Sequence, residues 1–255
     1  MKQPAIGPPM TRRDFLKNTG LLGIAVSLPV SGSIPVLRPP GAGPDFLSKC
    51  IRCGKCLEAC PYDSIRLLGI ASGTEIYTPY IDTLKTPCYV CQEKCQDGDS
   101  RPIGKFLRCG EACPTNALQL IPNDLEALSR LPDKIKTGVA KLNRRLCIAW
   151  RFGFCGECYF NCPLKDKAML PRPPSENVSG QKIMPCVNET ACIGCGRCVY
   201  VCPVRRSLFG SVKSDGARPD YFRERYGAMV NKILSECGAN VNLPAIKVIK
   251  YRDGK

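Results

Sequence analysis

The chain has 255 residues, room for one sizeable domain or two small ones, and 37 Lys+Arg against 22 Asp+Glu give a formal net charge of +15. Its 19 cysteines and absence of histidine exclude a His-ligated zinc, copper or haem site and histidine acid–base catalysis. Hydrophobic residues at 44% and charged residues at 23% fit a folded protein, yet 8 Phe, 9 Tyr and 1 Trp leave few large side chains for a core, so the cysteines must supply cohesion.

Residues 1–37 read as an export signal and linker. Thr11-Arg12-Arg13-Asp14-Phe15-Leu16-Lys17 precedes an apolar, small-residue run from Gly20 to Val30, the pattern of a twin-arginine signal read by the Tat export machinery. The alternative is a basic amphipathic start to the first domain. The run holds about ten apolar residues before Pro29, short of the ~20 that cross a bilayer, and Pro29, Gly32 and Pro35 interrupt it. Ser31 and Ser33 form only a weak small-residue pair for cleavage, which leaves open whether the signal is removed or kept as a tether.

From residue 38 to 209 the chain is organised by cysteine. Cys50-x2-Cys53-x2-Cys56-x3-Cys60-Pro61 is the bacterial ferredoxin run that holds [4Fe–4S] clusters, and it recurs as Cys192-x2-Cys195-x2-Cys198-x3-Cys202-Pro203. Two-residue gaps let one tight loop turn three thiolates onto a cubane, and the fourth cysteine usually reaches a different cluster. Two looser versions lie between. Cys88-x2-Cys91 is followed by a long insert and then Cys109-x3-Cys113-Pro114; Cys147 precedes Cys155-x2-Cys158-x3-Cys162-Pro163. Four motifs of four leave Cys95, Cys186 and Cys237 over. Cys95 could replace Cys109 as third ligand of the second motif, but Cys109 preserves the x3-Cys-Pro ending. Four-cysteine zinc sites use two separated pairs instead of a tight triple. Disulfides suit an exported protein but would leave the spacing unexplained. Export in the folded state suits a protein whose clusters must be built on reduced thiols.

Each motif with its flanks reads as half of a ferredoxin module, giving an α+β fold of tandem bacterial-ferredoxin-like modules with short strands and helices. Ile65–Leu68 and Ala117–Ile121 are expected return strands. Asn123 or Asp124 would cap a helix through Leu131, stopped by Pro132. A β-like run covers Val139 to Ile148, and Trp150 either lines the third cluster or simply packs. In the 210–255 extension, Phe222, Tyr226, Met229 or Val230, Ile233, Leu234 and Cys237 fall at helical spacing before Gly238, and Ala245–Tyr251 suggests a strand or basic extension. This extension is expected to pack over the cluster domain, with Cys237 a small buried hydrophobe.

Further residues bring a family into view: Arg38-Pro39-Pro40-Gly41-Ala42; Phe46-Leu47 leading into Cys50-Ile51-Arg52-Cys53-Gly54-Lys55-Cys56; Thr78-Pro79-Tyr80; Ala112-Cys113-Pro114-Thr115 with Ala117-Leu118; and Cys162-Pro163-Leu164 with Asp166-Lys167-Ala168. In these, from the signal to about Arg206, the chain resembles the NapG/MauM family of exported polyferredoxins. It departs from that family in the Gln92–Arg108 insert, in Val204-Arg205-Arg206 and in the tail to Lys255. The resemblance implies a periplasmic carrier with four [4Fe–4S] clusters. Such a carrier relays electrons from a membrane-bound quinol-oxidising subunit to a periplasmic redox enzyme or cytochrome, as in nitrate reduction or methylamine oxidation.

The motifs would form two pseudo-twofold double-cluster units. The expected pairing joins the two regular motifs, as in four-cluster subunits of related oxidoreductases. One cluster would then take Cys50, Cys53, Cys56 and Cys202, and its partner Cys192, Cys195, Cys198 and Cys60. The inner unit would use Cys88, Cys91, Cys109 and Cys162, with Cys147, Cys155, Cys158 and Cys113. Pairing of neighbours in sequence is the alternative. No general base, nucleophile or open metal position is evident, so the chain reads as an electron-transfer subunit without a catalytic site of its own. The alternative function is a cluster-bearing assembly or maturation factor for an exported redox enzyme. The positive charge alone suggests nucleic acid, against which the export signal argues. A tetrathiolate [4Fe–4S]2+ cubane is a dianion, so four of them offset about eight of the positive charges.

Overall fold

A helix of one turn cannot hold itself together in water, yet this fold is built around such helices. The computed structural model describes residues 36–94, 100–124, 126, 128, 135–172, 183–204, 219–237 and 245–249, all within one unit of the chain, Pro35–Lys255. The twin-arginine segment and Cys95 lie outside the described residues. Within them the helices are α1 (Phe46–Lys49), α2 (Lys55–Glu58), α3 (Arg108–Glu111), α4 (Ile148–Phe152), α5 (Glu157–Phe160), α6 (Arg197–Tyr200) and α7 (Pro219–Cys237). The strands are β1 (Ile65–Leu67), β2 (Pro79–Ile81), β3 (Gln92–Lys94), β4 (Ser100–Pro102), β5 (Val139–Leu142), β6 (Met169–Leu170), β7 (Cys186–Val187) and β8 (Ile246–Ile249). They form antiparallel pairs β1–β2, β3–β4, β5–β8 and β6–β7.

The local chemistry of the cysteine motifs explains α2, α3, α5 and α6. In each, the third cysteine of a motif is the second residue of the helix: Cys56, Cys109, Cys158 and Cys198. Each is buried. The helix then ends at a Cys-Pro pair, where the proline ring disfavours helical conformation in the residue before it. In the first two motifs the chain next turns through a left-handed residue of a type that tolerates it, Asp63 at φ 49° and Asn116 at φ 53°. In the fourth motif Gly194 has φ 74°, and a Cβ there would stand 2.4 Å from the Gly138 backbone. Thr137 fastens this approach, its hydroxyl donating to the carbonyls of Ile193 (3.0 Å) and Gly194 (2.9 Å).

Two buried clusters share the work of a core. One gathers Phe46, Val90, Leu107, Leu118, Ile121, Leu128 and Ile135 around Cys56 and Cys109, and also takes in Leu164, Ala168 and Ile193. The other gathers Ile148, Val199, Tyr226, Val230, Ile233 and Ile246 around Cys147, Cys158, Cys198 and Cys202. The C-terminal segment is therefore part of the packing: α7 contributes Tyr226, Val230 and Ile233, and β8 pairs along the full length of β5. The side chain of Phe222, expected on the same face, and Gly238 lie outside the described residues.

Three expected elements come out differently. The Ala117–Ile121 return strand reduces to a single bridge, Leu118 to Ala42, with the Gln119 amide donating to the Gly41 carbonyl at 3.0 Å. Gly41 is pressed so close that a Cβ on it would lie 2.8 Å from the Gln119 carbonyl oxygen. The Val139–Ile148 run is a strand only to Leu142. Asn143 then accepts from the Arg145 amide, opening a 3-10 turn (Arg144–Leu146) that leads into α4. At the expected cap, Asp124 accepts from the Glu126 amide, whereas Asn123 is buried and donates to the carbonyls of Cys91, Ile103 and Gly104. The rest of that helix to Leu131 lies largely outside the described residues.

Arg38 joins the entry segment to the β1–β2 hairpin. Its guanidinium donates to Glu75 at 2.6 Å, to Thr78 Oγ1 at 2.8 Å and to the Pro79 carbonyl at 2.9 Å, and both side chains of the ion pair are nearly buried at 12% and 11% exposure. Removing one partner of a buried pair leaves the other charge desolvated. Arg38→Ala is therefore expected to destabilise the holoprotein by about 3 kcal/mol, read as a lowered denaturation midpoint, with Arg38→Lys recovering part of the loss.

Candidate metal centres

The sixteen motif cysteines line four cavities, each lined by four of them. Site I is lined by Cys50, Cys53, Cys56 and Cys113, beside Phe46, Ile51 and Leu118. Site II is lined by Cys88, Cys91, Cys109 and Cys60, beside Tyr62, Tyr89 and Val90. Site III is lined by Cys147, Cys155, Cys158 and Cys202, beside Ile148 and Ile246. Site IV is lined by Cys192, Cys195, Cys198 and Cys162, beside Leu164, Met169 and Val248.

The grouping corrects the expected pairing. Cys60 and Cys113 exchange between the first and second motifs, and Cys162 and Cys202 between the third and fourth. Neighbouring motifs, not similar ones, therefore pair. The cause is the packing of α2 on α3 and of α5 on α6, which carries each Cys-Pro ending to the opposite cavity. Cys109 takes the third position of site II, equivalent to Cys56, Cys158 and Cys198.

The sites also fall in a row. Cys109 of site II lies close enough to Cys56 of site I for their charges to interact, and likewise Cys198 of site IV to Cys158 of site III. Between the two pairs, the Cys88 amide of site II donates to the Cys195 carbonyl of site IV at 2.8 Å. The spatial order is therefore I, II, IV, III, not the order of the motifs along the chain. One end is open: Cys53 is exposed, as is Ile51 beside it. At the other end, α7 packs against site III, where Tyr226 donates from its hydroxyl to Glu157 at 3.1 Å and also reaches Cys155.

The sulfur chemistry is that of ligands waiting for a cation. Burial pushes the thiols of Cys56 and Cys195 up to about 11 and that of Cys162 up to about 12. Burial likewise raises Cys109, Cys158 and Cys198, and neighbouring cysteines in the same or the adjoining cavity add to it. Amides offset part of this. Ser64 donates to Cys60 Sγ, Val90 to Cys88 Sγ, Leu118 to Cys113 Sγ and Ala140 to Cys192 Sγ, each at 3.4 Å. At Cys113 burial raises the thiol, but the donors from Leu118, Thr115 and Ala117 outweigh it and bring it below its ordinary value. Amide donors to cluster sulfurs are what sets potential in such sites.

A single zinc ion would need four sulfurs at ~2.3 Å from one point. Among the described residues no three metal-ligating side chains converge on such a point. Four cysteines spread around each cavity at ferredoxin spacing instead fit a polynuclear iron–sulfur group.

Matches to known proteins agree with this chemistry. The 4Fe-4S binding domain family model matches residues 46–66 and 185–205, the two regular motifs. Ferredoxin-type protein NapG of Escherichia coli (strain K12) is 32% identical over 210 residues, covering 76% of this chain and 82% of that protein. The methylamine utilization ferredoxin-type protein MauM of Methylorubrum extorquens is 33% identical over 208 residues, 75% of this chain and 84% of its own. The chain belongs to the NapG/MauM family of ferredoxin-type iron–sulfur proteins. As in that resemblance, its likeness to NapG and MauM spans most of the chain, beyond the two regular motifs.

Of the residues outside the sixteen, Trp150 packs instead of lining site III: its indole donates to the Pro185 carbonyl at 3.0 Å, with Arg144 stacked 3.9 Å above the ring. Cys186 lies in β7, and Cys237 ends α7 with Arg151 donating to its sulfur at 3.7 Å. The amide donors Ser64, Val90, Leu118 and Ala140 escaped the sequence reading, although the repeated Cys-Pro-x-Asx spacing, at Asp63 and Asn116, falls just before the first and third.

Two predictions follow from the geometry. Cys60→Ala and Cys109→Ala are expected to abolish the same EPR signal, that of site II, and Cys95→Ala to abolish none; cluster-resolved EPR of the three variants checks this. Because the ligand thiols must lose protons that burial holds on them, anaerobic cluster insertion into the apoprotein is expected to quicken as pH rises from 7 to 9, measured as iron-dependent absorbance.

Proposed function

We propose that this protein is an exported electron carrier holding four [4Fe–4S] clusters in two double-cluster units. It would take electrons from a membrane-bound quinol-oxidising subunit and pass them to a periplasmic oxidoreductase or cytochrome. The observation that carries this reading is the unbroken row of four-cysteine cavities, exposed at Cys53 at one end and packed by α7 at the other. A bound cluster supplies a one-electron couple whose potential depends on sulfur hydrogen bonds and exposure. The chain holds the ligands, donates amides to their sulfurs and keeps the inner sites dry behind Val90, Leu107, Ile193 and Val199.

Membership of the NapG/MauM family supports the redox role, and the name of the MauM relative is that of a methylamine utilization protein. The residues Arg12-Arg13 before the Gly20–Val30 run support export by the twin-arginine route, with the mature chain working at the periplasmic face of the inner membrane. No helix among the described residues is long and apolar enough to cross a membrane, so contact with the membrane would run through the partner subunit or the signal segment.

Anaerobically purified holoprotein mixed with quinol-reduced membranes is expected to lose its cluster absorbance within the mixing time of a rapid-reaction experiment. Clusters that stay oxidised under quinol-reduced membranes and under strong chemical reductant would contradict the carrier reading. Arg12→Lys with Arg13→Lys is expected to leave the protein inside the cytoplasmic membrane, scored by cell fractionation.

A further inference from the structure

Arg197 is buried at 8% exposure as the first residue of α6, the helix that carries Cys198, the third motif cysteine of site IV. Its backbone amide serves Cys195, so the residue begins at the wall of site IV. Its guanidinium extends the other way, 5.4 Å from the centre of the Tyr89 ring. Tyr89 lines site II and stacks at 4.5 Å on Tyr62, which lines it too. The side chain therefore spans the junction where the Cys88 amide meets the Cys195 carbonyl. Charge reaches both ways: Arg197 acts on Cys162 and Cys195 of site IV and on Tyr62 of site II.

A guanidinium stays protonated in any protein environment, and burying one is unfavourable unless an anion compensates it. Among the described residues no carboxylate pairs with Arg197. The attraction of an aromatic face for a cation is too weak to replace an ion partner. The other anionic groups near this junction are the sulfurs and the exposed Glu93 carboxylate, which acts on Tyr62 but forms no ion pair with Arg197. A tetrathiolate cluster on either side carries the missing negative charge, and carries more of it when reduced.

We propose that Arg197 is the shared counter-charge of the clusters at sites II and IV, a positioning residue that raises the potential of both and eases passage of an electron across the junction between the two units. This rests on the proposed occupancy of the four sites. An electron arriving at either site increases the negative charge facing the guanidinium, so the reduced state of each gains more than the oxidised state. Without the cation the two middle sites become harder to reduce than they are in the parent protein, while the two outer ones keep their potentials.

The test is an EPR-monitored redox titration of anaerobically purified holoprotein carrying Arg197→Gln or Arg197→Lys, with iron content measured on each sample. Arg197→Gln is expected to keep its iron and to lower the potential of two of the four clusters by at least tenfold in equilibrium constant, about 59 mV for one electron. The other two should not move. Arg197→Lys should stay near the parent. If Arg197→Gln loses its clusters while Arg197→Lys keeps them, the positive charge is required for assembly at the junction, which supports the proposal. Full iron with all four potentials unmoved in Arg197→Gln overturns it and leaves the carrier reading intact, as does loss of clusters from both variants, which would make the role one of packing. A parent protein without four clusters would instead overturn the reading on which the proposal rests.

Discussion

The fold depends on keeping sixteen sulfurs apart around four spaces that they do not fill themselves. Buried side chains normally gain stability by touching one another. Here Cys56, Cys109, Cys158 and Cys198 are buried on the walls of cavities, where the proposed clusters would supply their contacts on one side. The one-turn helices that carry these four residues have too few internal hydrogen bonds to persist alone. Bonds from sulfur to metal would tie each helix to a loop and to the Cys-Pro ending of its neighbour. That cross-linking explains how a chain with so few aromatic residues and two-stranded sheets of two to four residues per strand can hold two cores.

The same constraint orders the row. Exchange of Cys60 with Cys113, and of Cys162 with Cys202, makes each unit a closed pair of motifs. The two units then meet where Gly196 faces the Thr83 side chain and the Cys88 amide donates to the Cys195 carbonyl. Side chains larger than glycine have no room there, since a Cβ on Gly196 would stand 2.2 Å from Thr83 Cγ2. Closeness of the units brings sites II and IV together and leaves sites I and III at the ends. Electrons entering at one end would have to cross that junction.

Much of the site could be read from the sequence because ligand spacing is a local property. Two-residue gaps and the Cys-Pro endings mark fifteen of the sixteen cavity cysteines and favour Cys109 over Cys95; Cys147 stands out only as the cysteine preceding the third motif. Helical spacing similarly marked the buried face of α7 through Tyr226, Val230 and Ile233. The pairing of motifs was not legible, because likeness between the two regular motifs says nothing about which helices pack. The Ala117–Ile121 segment reads as a return strand after its motif, yet it forms only the Leu118–Ala42 bridge, where Gly41 passes it at one point. Arg197 looks in sequence like any surface arginine inside a cysteine loop; its burial against Tyr89 is a long-range consequence of how the two units meet.

The central claim is that each of the four cavities holds an iron–sulfur cubane. Iron and acid-labile sulfide on anaerobically purified protein test it most directly. Four cubanes require about sixteen iron and about sixteen sulfide per chain. Half that iron, confined to the two regular motifs, or stoichiometric zinc in its place, would contradict the account.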